Sequence, residues 1–216
     1  MIGMFYEPSP DSSLRLGDVV VGFPIASAAF NLKCDGSFPD AYRIEVQQGF
    51  YAVLSPCCAI GYGTILLCPF QPIQKKWLKN PYFAQEMTNI NRPMKAELAV
   101  SPEEWESLGD EKRQERLDRT SPDGSYVSNE LFVYAAHDLL PTYKVTHNEQ
   151  EIEIGHWVVD FRKACRIECQ QITYPQKPNS PIIKYKRLQL TISARADLRD
   201  KLAFYFGNPA PEDVAE

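Results

Sequence analysis

The chain has 216 residues, 44% hydrophobic and 24% charged, which fits one globular domain, or one domain with a large insertion. Its net charge of -5 argues against tight sequence-independent nucleic-acid binding, which needs an excess of lysine and arginine, though a local basic patch is compatible with it. No apolar run is long enough to span a membrane, and the start, MIGMFYEPSPDSS, lacks the charged head and apolar core of a signal peptide, so the six irregularly spaced cysteines are expected in a reducing cytoplasm. Residues 1–13 read as a flexible, proline-bearing arm, mobile or draped over the body. The first strand is Leu14 to Phe23: Gly17-Asp18 opens it with a turn, Val19, Val20 and Val21 are β-branched, and Pro24 ends it. Asp35-Gly36 is a hairpin-turn signal, and Tyr42 to Val46 alternates apolar and polar side chains as a half-buried strand does. Phe50 to Leu54 and Thr64 to Cys68 are apolar at consecutive positions, the pattern of strands covered on both faces, with Gly61-Tyr62-Gly63 as a flexible turn between them.

From about 72 to 122 the character changes to a helical insertion. Lys75 to Asn91 predicts a helix with Trp77, Leu78, Tyr82, Phe83 and Met87 as apolar members and Pro81 near a start or kink. Ser101-Pro102-Glu103-Glu104 is a capping box, opening a charged helix to about Asp118 that reads as a solvated face or a partner-binding element. The stretch from Arg113 to Asp123 has the polarity of a nicking site, with Arg119, Ser121 and Asp123 as its candidate cleavable loop. Strand patterns return at 127–134, 142–146, 151–161 and 164–173, where Cys165, Ile167 and Cys169 share a face. A proline-rich loop over 174–183 follows, then a short strand from Lys184 to Ile192. Ser193 is expected to cap a closing helix from Ala194 to Phe206, with Leu198, Leu202 and Tyr205 at helical spacing; residues 208–216 form a flexible acidic tail.

The candidate chemistry is thin. Cys57-Cys58 would need a base or a cation to generate a thiolate, and His137, His147 and His156 lie far downstream; small apolar packing at a tight turn accounts for the pair. A zinc site from Cys57, Cys58, Cys165 and Cys169 is disfavoured because four residues of strand separate Cys165 from Cys169 by roughly 13 Å. No metal and no cofactor are expected. Lys184, Lys186 and Arg187, with Tyr185 interleaved, form a basic cluster that suits either binding, including of nucleic acid, or a guarded strand edge.

The chain resembles the PemK/MazF family of toxin-like, SH3-type small barrels in Gly17-Asp18-Val19-Val20, Val53-Leu54-Ser55 and Cys68-Pro69-Phe70, over about residues 14 to 72. Its closing segment, Leu190-Thr191-Ile192-Ser193 followed by Arg195 to Phe206, is similar to that of distant relatives. The resemblance implies a mainly β (α+β) fold: a single MazF-like β-barrel domain over 14–207 with a helical insertion and a C-terminal helix. Ribonucleases of that family place an arginine before the Val-Leu-Ser strand and a threonine after Cys-Pro-Ile, to stabilise and donate to the phosphate. Here Gln48, Gly49, Phe50 and Tyr51 precede the strand and Gln71 follows Phe70. Were the chain a nuclease, Arg43, Thr64, Gln71 and Ser55 would lie nearest the groove.

Missing catalytic groups and an acidic balance favour a non-catalytic interaction module for a protein partner such as an antitoxin, protease or sigma factor. The resemblance suggests a bacterial regulatory, toxin–antitoxin-like or defence setting, the last because MazF-like domains include the anti-sigma component beside a CRISPR-associated Lon-type protease. A diverged endoribonuclease, a nucleic-acid binder without catalysis and a homodimer stay open.

Overall fold

The computed structural model describes residues 4–29, 43–56, 60, 62–79, 87–94, 104, 107–112, 124–147, 149–173 and 184–207. Strands β1 (Val19–Ala29), β2 (Arg43–Val53) and β3 (Tyr62–Pro72) pair antiparallel in succession. The next strands are β4 (Leu131–Tyr134), β5 (Tyr143–His147), β6 (Gln150–Ile154), β7 (Trp157–Asp160), β8 (Cys165–Thr173) and β9 (Lys186–Leu188). The large antiparallel sheet runs β4-β7-β3-β2-β1-β9, with β8 also on β3, while β5 and β6 form a separate hairpin. The chain is therefore mainly β and α+β, closed by helix α1 (Ile192–Gly207). Among the described residues no pairing links β9 to β4 or β8, so the barrel closure implied by the resemblance is not among the pairings.

β3 organises the sheet because its apolar run is covered on both faces and paired on both edges. Leu67 faces Val53 on β2 and Cys165 on β8, while Gln71 faces Val158 on β7. The 3-10 turn Phe161–Lys163 takes up the extra length between β7 and β8. Alternation along β1 sends Val19 into a core with Phe132, Tyr134 and Leu198, and Val20 into another with Tyr51, Val53 and Ile65. Consecutive valines Val19 and Val20 are thus both buried.

Several expectations are corrected. The predicted separate strands at 42–46 and 50–54 are one strand, β2, and β1 continues through Pro24 after a register shift beyond Val21, where Gly22 has φ +87°. A bulge there tolerates a proline, which has no N–H to give to the ladder. The predicted helix over Lys75 to Asn91 is, within the described residues, two 3-10 turns, Trp77–Lys79 and Met87–Asn91. Of the two readings of the arm, mobile or draped over the body, the flexible one is corrected and the draped one holds from residue 4 onward: Tyr6 is buried, bridges Leu190, and its hydroxyl donates to the Ala135 carbonyl at 2.7 Å. Thr191 rather than Ser193 caps α1, its Oγ1 accepting from the Ala194 N–H at 3.4 Å. The capping-box start at 101–103, the cleavable loop of Arg119, Ser121 and Asp123, the Asp35-Gly36 turn, Cys57-Cys58 and the acidic tail lie outside the described residues.

Candidate functional site

The Gly17-Asp18 turn sits at the centre of the largest convergence of charge among the described residues. Gly17 has φ +82°, a backbone form suited to a residue without Cβ, and its N–H donates to the Val53 carbonyl at 2.7 Å. The turn aims Asp18 inward, fully buried, where Oδ2 accepts from the Arg15 backbone N–H at 2.8 Å and pairs with Lys186 Nζ at 2.8 Å. Lys186 is delivered by β9, and its side chain is only 3% exposed. Its ammonium also donates to the Ser13 carbonyl and Gln189 Oε1, both at 2.7 Å, and reaches Asp11 Oδ1 at 3.3 Å. Asp11 is tied further by Ser13 and by Arg15, whose Nε lies 2.6 Å from Oδ2.

Burial pushes the Asp18 carboxyl up to about 6 although Lys186, the Arg15 amide and the Arg195 charge all favour its ionised form. Burial works against Asp11 as well, but there the Ser13 and Arg15 hydrogen bonds and the Lys186 charge win and hold it well below the usual carboxylate range. Asp18 Oδ1 has no hydrogen-bond partner. A carboxylate and an ammonium sealed from solvent cannot exchange protons with a substrate; they can lock the arm, the first strand and the closing segment together. Beside this lock opens a groove of about 320 Å³ lined by Arg15, Arg195 and Arg199 with Leu16, Pro56 and Ile192.

A second buried cation lies across the helix. Lys201 is fully buried, donates to the Ile90 carbonyl and sits 5.1 Å from the Tyr126 ring centroid. Burial brings its ammonium down to about 7 against the opposing charges of Glu130 and Asp197.

The sequence-nominated residues do not converge. Arg43 opens β2 opposite Ala29, whereas Gln71 lies on β3 opposite Val158 and Thr64 opposite Glu168. Seven residues of strand put Thr64 and Gln71 roughly 23 Å apart, and the β2–β3 register carries Arg43 past Gln71 by roughly 20 Å more. Gln71 Oε1 accepts from Lys163 at 3.0 Å, and Ser55 Oγ accepts from the Leu66 N–H at 2.8 Å. In the nominated basic cluster Lys184 and Arg187 are exposed, Tyr185 packs on Phe23 with centroids 5.3 Å apart, and Lys186 is removed from the surface by its buried pair.

Cys68 is buried, its thiol pushed up to about 12 by burial and by the Asp160 charge, and it donates to the Asp160 carbonyl. Cys165 is likewise raised by burial. Neither is a ready nucleophile. Among the described residues no cluster of His, Cys, Asp and Glu is arranged to hold a metal ion.

Sequence reasoning noted Asp18 as a strand opener and missed Asp11, Gln189 and the groove arginines as partners of one site. One available signal was alternation on β9, which puts Lys186 on the same face as buried Leu188. A scan against protein-family models, a search of curated proteins and a search of solved structures each return no match.

Proposed function

We propose that this chain is a non-catalytic interaction module that binds a protein partner in a bacterial regulatory, toxin–antitoxin-like or defence system. The observation that carries the reading is the dispersal of Arg43, Thr64 and Gln71 along the sheet, which keeps these three from offering one phosphate a cation and a hydroxyl donor at once. The site where charge does converge is sealed, as suits a structural lock beneath a binding face. Cys68 and Cys165 are free thiols, which suits a cytoplasmic setting. The competing nucleic-acid reading is weakened by the withdrawal of Lys186, since phosphate contacts need exposed cations.

Purified protein is incubated with mixed RNA substrates and, separately, used as bait in extracts of the native host. The expected result is no RNA cleavage above background and a protein retained specifically. RNA cleavage that disappears in Arg43→Ala would sink the reading.

A further inference from the structure

The groove beside the Asp18–Lys186 lock has a composition that names its occupant. Three arginines line it from two directions: Arg15 from the turn before β1, and Arg195 and Arg199, one turn apart on α1. Between them lie apolar walls, Leu16, Pro56 and Ile192, of which Ile192 is 78% exposed and so open to an incoming apolar group. Arg195 is oriented by an Nη2 bond to the Leu190 carbonyl at 2.9 Å, yet its buried Nε has no hydrogen-bond partner. Arg15 and Arg199 show which chemistry these groups accept, because each holds a carboxylate, Asp11 at 2.6 Å and Asp200 at 2.9 Å. The Arg199–Asp200 pair is well exposed, at 67% and 59%, so solvent screens it and an incoming carboxylate displaces it at little cost.

We infer that this groove binds an acidic segment of a partner protein, an aspartate or glutamate beside an aliphatic side chain. The carboxylate engages Arg195 and Arg199, whose planar donors match it, and the aliphatic group covers Ile192 and Leu16. The cavity is at the small end of ligand clefts, which run from about 300 to 1,000 Å³, and suits one or two side chains of an extended chain. Among the described residues no aromatic ring lines it, so bases of a nucleic acid would find nothing there to stack on. The inference rests on the interaction-module reading and supplies the partner's chemistry.

The test uses the full chain and a fluorescein-labelled peptide of glutamates flanking one leucine, read by anisotropy. Saturable binding is expected, weakened about tenfold or more by Arg199→Glu and lost when glutamine replaces glutamate. Arg199 is exposed, so its substitution is expected to leave the fold intact; Arg195→Gln is the second variant, and both are checked by their melting curves. Equal affinity of Arg199→Glu and wild type overturns the inference, as does equal affinity for the glutamine peptide, absence of peptide binding by the wild type, or displacement of the peptide by an RNA oligomer at lower concentration. A host protein held equally by wild type and Arg199→Glu leaves the module reading standing and removes only the groove. RNA cleavage with no host protein held removes the module reading itself.

Discussion

Replacing Lys186 by methionine separates a buried lock from a surface lysine. Its ammonium serves four oxygens, on Asp18, Asp11, Ser13 and Gln189. Asp11 is partly exposed and can rehydrate, but Asp18 has no exposed surface and is left as an unpaired buried charge. Breaking such a pair by removing one partner costs about 3–5 kcal/mol. The pH dependence fixes the assignment. Asp18 has a folded pKa of about 6 against an ordinary 3.8, so the native state binds its proton more tightly than the unfolded chain, and the Asp18 contribution falls as pH rises through this window. Without Lys186 the ionised form is costlier still. The gap between wild type and Lys186→Met is therefore widest above pH 6 and narrows towards pH 4 as Asp18 becomes neutral. Urea unfolding at about pH 8 and about pH 5 measures both gaps. A variant with unchanged stability, or a gap that is the same at both pH values, refutes the buried pair.

Lys201→Met should remove a pH slope. The folded pKa of about 7 lies below the ordinary 10.5, so the unfolded chain binds the proton more tightly and wild-type stability rises with pH between these values, by about 1.4 kcal/mol per unit at most. Parallel pH profiles of denaturation midpoints for wild type and variant would rule this out. Gly17→Ala should destabilise by about 2 kcal/mol or more, because its Cβ would stand 2.4 Å from Leu190 Cδ1 and 3.0 Å from Leu198 Cδ2 at a φ of +82°. Leu190 and Leu198 are wholly buried and have no solvent to move into, so an unchanged thermal midpoint would contradict the packing described.

The strands were legible because their residues alone fix the pattern: β-branched valines mark β1, and the apolar runs of Phe50 to Leu54 and Thr64 to Cys68 announce burial on both faces. What merged β2 into one strand was its pairing with β1, Gln47 with Ile25 and Gln48 with Pro24, a long-range ladder that overrides two polar residues and a glycine. The candidate site was far less legible. Lys186 beside Arg187 reads as a solvated edge until the arm lays Asp11 and Ser13 over it. The same holds for Lys201, which is met by the Met87–Asn91 turn and by the Tyr126 ring, both distant in sequence.

The arm crossing the closing segment also sets an order of events during synthesis. The Glu7 amide bonds to the Gln189 carbonyl, the Thr191 amide to the Phe5 carbonyl, and the Ser13 carbonyl meets Lys186 across 173 residues of chain. A nascent chain emerging from the ribosome thus carries Asp18 without its counter-ion, and β1 without its β9 neighbour, until nearly all of the described sequence has left the tunnel. The β1–β9 closure is thus the last pairing the emerging chain can make, and until then the outer edge of β1 stands open.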